Sequence, residues 1–209
     1  MTLSSNIRVL VVDDHPIVRT GLTTMLDSEP GLEPLGEAKT GIEAIAQFQT
    51  LQPDITLMDL RLPELSGVEA ITAILKEFPD ARIIILTTYD SDEDIYRGLK
   101  AGARGYLLKD ADRGELLDAI RSVYAGKKHI PATVGAKLVE RMNAPQLSER
   151  EIDVLKMLAK GKNNQLIGTA LGITEGTVKF HVNNILSKLG VSDRTQAVIT
   201  AFQRGIASP

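Results

Sequence analysis

The chain contains no cysteine, which excludes a disulfide framework and any thiolate-bound metal. It contains no apolar run of 18 residues, so no membrane-spanning helix is expected. The first apolar segment, residues 7–12, is six residues long and stops at two acids. That is too short for the core of a signal peptide, and a cytoplasmic location is the resulting expectation. Internal repeats and low-complexity tracts are missing as well.

What is present fits a globular protein. Hydrophobic residues make up 43% of the 209 positions and charged residues 24%, the balance of a soluble domain, and the length suits one large or two small domains. Charge is divided unevenly. Residues 1–145 hold 16 basic against 22 acidic side chains, whereas residues 146–209 hold 8 against 5. A change of sign along the chain suggests two modules with different partners, and a basic module fits nucleic acid; ordinary surface charge is the competing reading.

Short apolar runs at 8–12, 55–58, 83–86 and 105–108 show no alternation. Such runs suit strands buried on both faces of a parallel sheet. A weaker run at 33–38 contains Pro34, which fits an edge strand. Between the runs, apolar residues recur every three or four positions, as in Ile17, Val18, Gly21, Leu22, Met25 and Leu26. Segments 41–51, 68–78, 95–101 and 116–124 behave alike. Strand and helix alternating five times predict a doubly wound α/β domain with a five-stranded parallel sheet. Its ligand site is expected at the carboxyl ends of the strands. We assign this domain to residues 1–125. A linker, residues 126–146, follows with a possible helix at 132–142 and a breaker cluster, Asn143-Ala144-Pro145-Gln146. A small all-helical domain occupies 147–209, entered through Ser148 and Glu151 as a capping box.

The strand ends carry the chemistry. Asp13 and Asp14 follow the first strand, Asp59 the third, Thr87 and Thr88 the fourth, Lys109 and Asp110 the fifth. In adjacent parallel strands these groups converge on one sheet edge. Three neighbouring carboxylates repel one another unless a cation joins them. Mg²⁺ suits one or two carboxylates, water and phosphate oxygens, while a lysine and a threonine hydroxyl suit an incoming phosphoryl oxygen. Taken singly, each residue has a plainer reading: Asp13 or Asp14 as a helix N-cap, Thr87 as a threonine with a purely structural role, Lys109 as a solvated lysine. The set in this order points to a site.

The acidic pair in "VLVVDDHPIV", with "LMDLRLPELSG", "LTTYD" and "GYLLKD", resembles the receiver domain of response regulators over residues 7–125. The resemblance implies that Asp59 accepts a phosphoryl group from a phosphohistidine of a sensor histidine kinase. It implies Asp14, Asp59 and the Arg61 backbone carbonyl as Mg²⁺ ligands, with Asp13 acting through water. Thr87 and Lys109 would hold the phosphoryl group, and Tyr106 would be an aromatic switch that turns inward as Thr87 moves; an ordinary strand aromatic is the alternative. Asp110 stands where many receivers have a proline, so a proline-based cis bond after Lys109 is unavailable.

In the second domain, residues 164–171 read as a helix, Gly172-Ile173 as a turn and Thr174 as the N-cap of a longer helix reaching Leu189. That is a helix-turn-helix pattern. Val178, Val182, Ile185 and Leu189 form the buried stripe. The opposite face shows Gly176, Phe180, Asn183 and Ser187, flanked by Lys179 and Asn184. Phe180 against thymine methyls and Asn183 against base edges suit duplex DNA; Lys179 and Lys188 suit phosphates or bases, and Thr177 a phosphate. A polar face bearing one exposed aromatic, or a protein-binding face, is the alternative.

With "LSEREIDVL", "LGITEGTVKFH" and "ILSKLGVSDRTQAV", residues 147–206 resemble a LuxR-type helix-turn-helix domain, and the whole chain resembles a NarL/FixJ-type regulator. Leu166 and Asn183 depart from family patterns that often place an acid and a base there. The resemblance implies phosphorylation-dependent homodimers on promoter DNA, RNA polymerase as a further partner, and pairing of DNA-binding domains through the last helix by Val198 and Ala201. Closure of the domain core is the other reading of that helix. An enzyme reading, hydrolysis of phosphoesters through an aspartyl phosphate, expects a second acid two residues after the nucleophile on the first strand; His15 stands there. A receiver that works unphosphorylated is a third reading.

Overall fold

The computed structural model describes residues 6–88, 91–143, 145–204 and 206–207. Tyr89 and Asp90 of "LTTYD" and Ala144 of the breaker cluster lie outside them. The first unit alternates β1 (Ile7–Val12), α1 (Pro16–Asp27), β2 (Leu32–Ala38), α2 (Gly41–Leu51), β3 (Ile55–Met58), α3 (Gly67–Glu77), β4 (Ile83–Thr87), α4 (Asp92–Lys100), β5 (Gly105–Leu108) and α5 (Arg113–Tyr124). All strand pairs are parallel, in the order β2-β1-β3-β4-β5. The order reverses beside β1, where a crevice opens at the strand ends.

Both faces of the sheet are covered, which explains the uninterrupted apolar runs. Leu10, Val12, Met58, Ile83 and Ile85 pack with Phe48, Ile71, Ile74 and Ile95 on one side. Val9, Val11, Ile55, Leu57, Ile84 and Leu86 pack with Leu26, Leu116 and Ile120 on the other. Each such aliphatic side chain removed from water contributes about 1.5–3 kcal/mol before entropy is counted. Pro34 sits on the edge strand as its pattern predicts, and the register of β1 against β2 shifts between Val9 and Leu10, next to the Val9–Pro34 pair. The missing N–H is tolerated there.

Helix α6 (Ala132–Asn143) follows. Its Val134 and Leu138 join the apolar layer that also holds Tyr106. The chain divides into compact units between Arg141 and Met142, so most of the segment expected as a linker packs with the first unit.

The second unit comprises α7 (Glu149–Ala159), α8 (Asn164–Leu171), α9 (Glu175–Leu189) and α10 (Arg194–Gln203). Ser148 and Glu151 form a reciprocal capping box at α7, and Thr174 caps α9. Gly172 ends α8 with φ +67°, a left-handed conformation that costs glycine nothing and makes the sharp turn into α9. Val154, Leu155, Leu158, Ile167, Val178, Ile185, Ala197 and Ala201 form the core.

Candidate functional site

Four strand ends build the acidic site, and backbone hydrogen bonds hold them level. The amide of Asp13 donates to Ala38 O at 3.0 Å, that of Asp59 to Val12 O at 2.9 Å, and that of Lys109 to Thr87 O at 2.9 Å. Asp13, Asp59 and Thr87 are buried. Gly67 lets the loop after β3 close: its amide donates to Leu60 O at 3.0 Å, and a Cβ there would lie 2.0 Å from Asp59 O.

Lys109 Nζ lies 2.6 Å from Asp13 Oδ2 and 2.6 Å from Asp59 Oδ2. Burial pulls the Lys109 pKa down, but hydrogen bonds and charge from Asp13 and Asp59 outweigh it, and the net shift is upward. The ammonium therefore stays charged. Asp13 Oδ1 accepts from the His15 amide at 2.9 Å, and Asp59 Oδ1 from the Arg61 amide at 3.3 Å. Neither Asp13 nor Asp14 caps α1: its N-cap is His15, which makes no side-chain cap bond, and Pro16 occupies the first turn.

Lys109 cancels one of the three negative charges of Asp13, Asp14 and Asp59. Ligand atoms from these acids and His15 all lie within 4.8 Å of one another. His15 Nδ1 comes within 2.7 Å of Asp14 Oδ1, yet without hydrogen-bond alignment, and Asp14 Oδ1 stays buried with no hydrogen-bond partner. A buried, unsatisfied carboxylate oxygen in a pocket of excess negative charge is costly without a cation. The donor set is mainly oxygen, so the pocket is compatible with a hard divalent metal ion.

Tyr106 is fully buried on β5, and its amide donates to His129 O at 3.0 Å. The side chain expected to turn inward already lies inside. Sequence patterns missed Arg19 and the side-chain role of Arg61 at this edge. Arg19 Nη1 donates to Asp13 O at 2.7 Å. The Arg61 side chain reaches α4, with Nη2 3.1 Å and 3.2 Å from the two Asp94 carboxylate oxygens. Neither partner lies within one helical turn of its arginine in sequence, so no local pattern announces them.

In the second unit, Phe180 is 62% exposed, and Lys179, Asn183 and Ser187 are exposed beside it. Val178, Ile185 and Leu189 face the core, with Val182 partly buried. Thr177 Oγ1 lies 2.9 Å from Thr174 Oγ1 at the start of α9. Lys179 Nζ pairs with Glu175 at 3.0 Å on the surface. Lys188 is placed differently from a free phosphate contact: its Nζ donates to the buried Glu151 Oε2 at 2.7 Å. Burial pushes the Glu151 pKa up, but hydrogen bonds from Lys188 and Ser148 carry it below the usual carboxylate range. On α10, Ala201 is enclosed in the domain's own core and Val198 is partly buried against it; the exposed apolar side chain there is Ile199.

Among the described residues no helix is long and apolar enough to cross a membrane. Residues 9–121 match the family described as "Response regulator receiver domain", and residues 145–201 match "Bacterial regulatory proteins, luxR family". The response regulator protein VraR of Staphylococcus epidermidis is 42% identical over 205 residues, covering 96% of this chain and 98% of that protein. Its namesake in Staphylococcus aureus is 43% identical over the same span. Among solved structures, the response regulator ChrA of a heme-sensing two-component system shares 38% identity and a TM-score of 0.58, covering 97% of this chain and 99% of that one. RcsB from Salmonella enterica serovar Typhimurium, bound to a promoter in the presence of the phosphomimetic BeF3⁻, shares 26% identity and a TM-score of 0.77, covering 96% of this chain and all of that one. With a receiver pocket on the first unit and a helix-turn-helix on the second, the chain belongs to the two-component response regulators of the NarL/FixJ type, which join a receiver domain to a LuxR-type DNA-binding domain.

Proposed function

We propose that Asp59 accepts a phosphoryl group from a sensor histidine kinase and that this controls dimerisation and promoter binding. The domains are a receiver at 1–125, a linking segment at 126–146 and a DNA-binding domain at 147–209. The carrying observation is the pocket in which Lys109 Nζ spans Asp13 and Asp59 at 2.6 Å each beside the unsatisfied Asp14 Oδ1. Asp14, Asp59 and the Arg61 carbonyl, with Asp13 through water, would hold Mg²⁺, and the ion would supply positive charge against the transferring group. An Asp59 oxygen attacks phosphorus in line; the P–N bond to the kinase imidazole breaks, and the nitrogen keeps its electron pair. Lys109 exchanges a carboxylate oxygen for a phosphoryl oxygen, and Thr87 donates its hydroxyl to another. The chain thereby promotes its own phosphorylation and dephosphorylation.

Phe180 and Asn183 meet base edges, while Lys179 and Thr177 meet phosphates. Lys188 contributes by holding α9 on Glu151, and its ammonium faces a phosphate only by leaving that carboxylate. In the dimer, α10 pairs across the axis through Val198 near Ala201, with half-sites about one helical turn apart. The reading places the protein in the cytoplasm, with promoter DNA and RNA polymerase. RcsB bound to a promoter in the presence of a phosphomimetic supports it.

The test is phosphate uptake from acetyl phosphate with Mg²⁺. Wild type is expected to label and Asp59→Ala to stay unlabelled. Equal labelling of the variant refutes the assignment.

A further inference from the structure

Helix α4 is gripped from two directions by consecutive residues. Arg141 Nε, at the end of α6, donates to Glu93 Oε2 at 2.8 Å. Both side chains are about nine-tenths buried, and the Arg141 guanidinium lies 4.8 Å over the Tyr96 ring. The next residue, Asp94, takes both contacts from Arg61. Arg61 stands two positions after Asp59, and its amide meets Asp59 Oδ1. One end of α4 thus holds the acceptor loop and the linking helix at adjacent positions.

Helix α6 packs against the receiver beside this ion pair. Val134, Leu138 and Arg141 fall at i, i+4 and i+7, one stripe along the helix. The first two enter the apolar layer of the receiver, and the third is a charge buried at the end of that stripe. Val139 and Met142, off the stripe, are exposed. The α6 sequence includes Thr133, Val134, Gly135 and Val139, all poor helix formers, in only 12 residues. Such a helix is marginal without tertiary contacts.

We propose that α4 and α6 form a latch that reports the state of Asp59 to the DNA-binding domain. The proposal rests on the phosphoacceptor reading of Asp59. When the Arg61 carbonyl turns toward a cation beside phosphorylated Asp59, the Arg61 side chain shifts on Asp94 and α4 moves with it. Glu93 then no longer meets Arg141. A buried charge that loses its partner is strongly disfavoured, so the latch responds in two discrete states. Arg141 is the last residue of the first compact unit, and the chain it releases leads directly into the DNA-binding domain.

Amide hydrogen exchange on the full-length chain tests this. Adding beryllofluoride and Mg²⁺ to wild type is expected to speed exchange in α6 by about tenfold or more, within the usual range of coupling between sites. Glu93→Gln and Arg141→Gln should show the same fast α6 without beryllofluoride, while slow exchange of β1 and β3 in the same spectra shows the receiver still folded. Both variants, unloaded, should bind duplexes selected from a random pool by beryllofluoride-loaded wild type about tenfold more tightly than unloaded wild type does. Three outcomes overturn the latch: α6 unchanged in the variants, α6 unchanged in wild type whose acceptor loop responds to beryllofluoride, or an open α6 with unchanged DNA affinity. An acceptor loop blind to beryllofluoride instead sinks the phosphoacceptor reading, and the variants still decide whether the ion pair restrains α6 and DNA binding.

Discussion

Phe180 exposes most of its ring on α9 among Lys179, Asn183 and Ser187, an arrangement wasteful for a solvated helix. Residues 175–189 contain no arginine, the side chain that most often reads guanine. Lys179 and Lys188 are both engaged by glutamates. On the proposed reading of α9, the face that meets base edges is therefore apolar and amide, suited to thymine methyls and adenine edges. Replacing thymine by uracil in a selected half-site is expected to weaken wild-type binding by about 1 kcal/mol at the contacted step, an effect of the lost methyl contact. Phe180→Ala should bind both duplexes equally. Competition binding at fixed salt measures it, and a Phe180→Ala protein that still discriminates removes Phe180 from the interface.

At the scale of the element, the approach of α3 to the end of β3 is set by a single hydrogen atom. A methyl at Gly67 would meet the Asp59 carbonyl oxygen at 2.0 Å, and the obstacle is backbone. Gly67→Ala is expected to cost about 2–4 kcal/mol, in the range of overpacked sites, and to slow acetyl phosphate labelling through displacement of Asp59. Urea denaturation and labelling check the two effects together. Elements of this kind were largely legible in the sequence. Apolar runs without alternation announced strands covered on both faces, Pro34 announced the edge, and Ser148 with Glu151 announced the start of α7. Contacts between elements were not. Glu93 and Arg141 are 48 positions apart, and Glu151 and Lys188 are 37 apart. Helical periodicity reports which face is apolar, never which distant charge closes it. Lys188 read as a DNA contact and is seen to brace α9 on Glu151; Ala201 read as either a pairing surface or a core residue, and it lies in the core.

At the scale of the molecule, the second unit carries a built-in response to acid. Glu151 titrates below the usual carboxylate range in the folded state because Lys188 and Ser148 hold its charged form against the cost of burial. A carboxyl group whose folded pKa lies below its unfolded pKa stabilises fully above the unfolded value, and the contribution disappears as pH falls through the folded one. The 147–209 unit is thus expected to lose stability as pH falls below the ordinary glutamate range and on through the lowered pKa of folded Glu151. Lys188→Met should lower its stability at neutral pH by about 1–3 kcal/mol and flatten that acid dependence. Urea melts followed by hydrogen exchange in α7 and α9 resolve this unit from the receiver; a Lys188→Met protein with the full acid slope refutes the pairing. In the receiver the corresponding brace is Lys109, whose ammonium bridges Asp13 and Asp59. Its side chain acts as an internal counter-ion, so two carboxylates that would otherwise push the ends of β1 and β3 apart are tied together by a charge the fold carries with it.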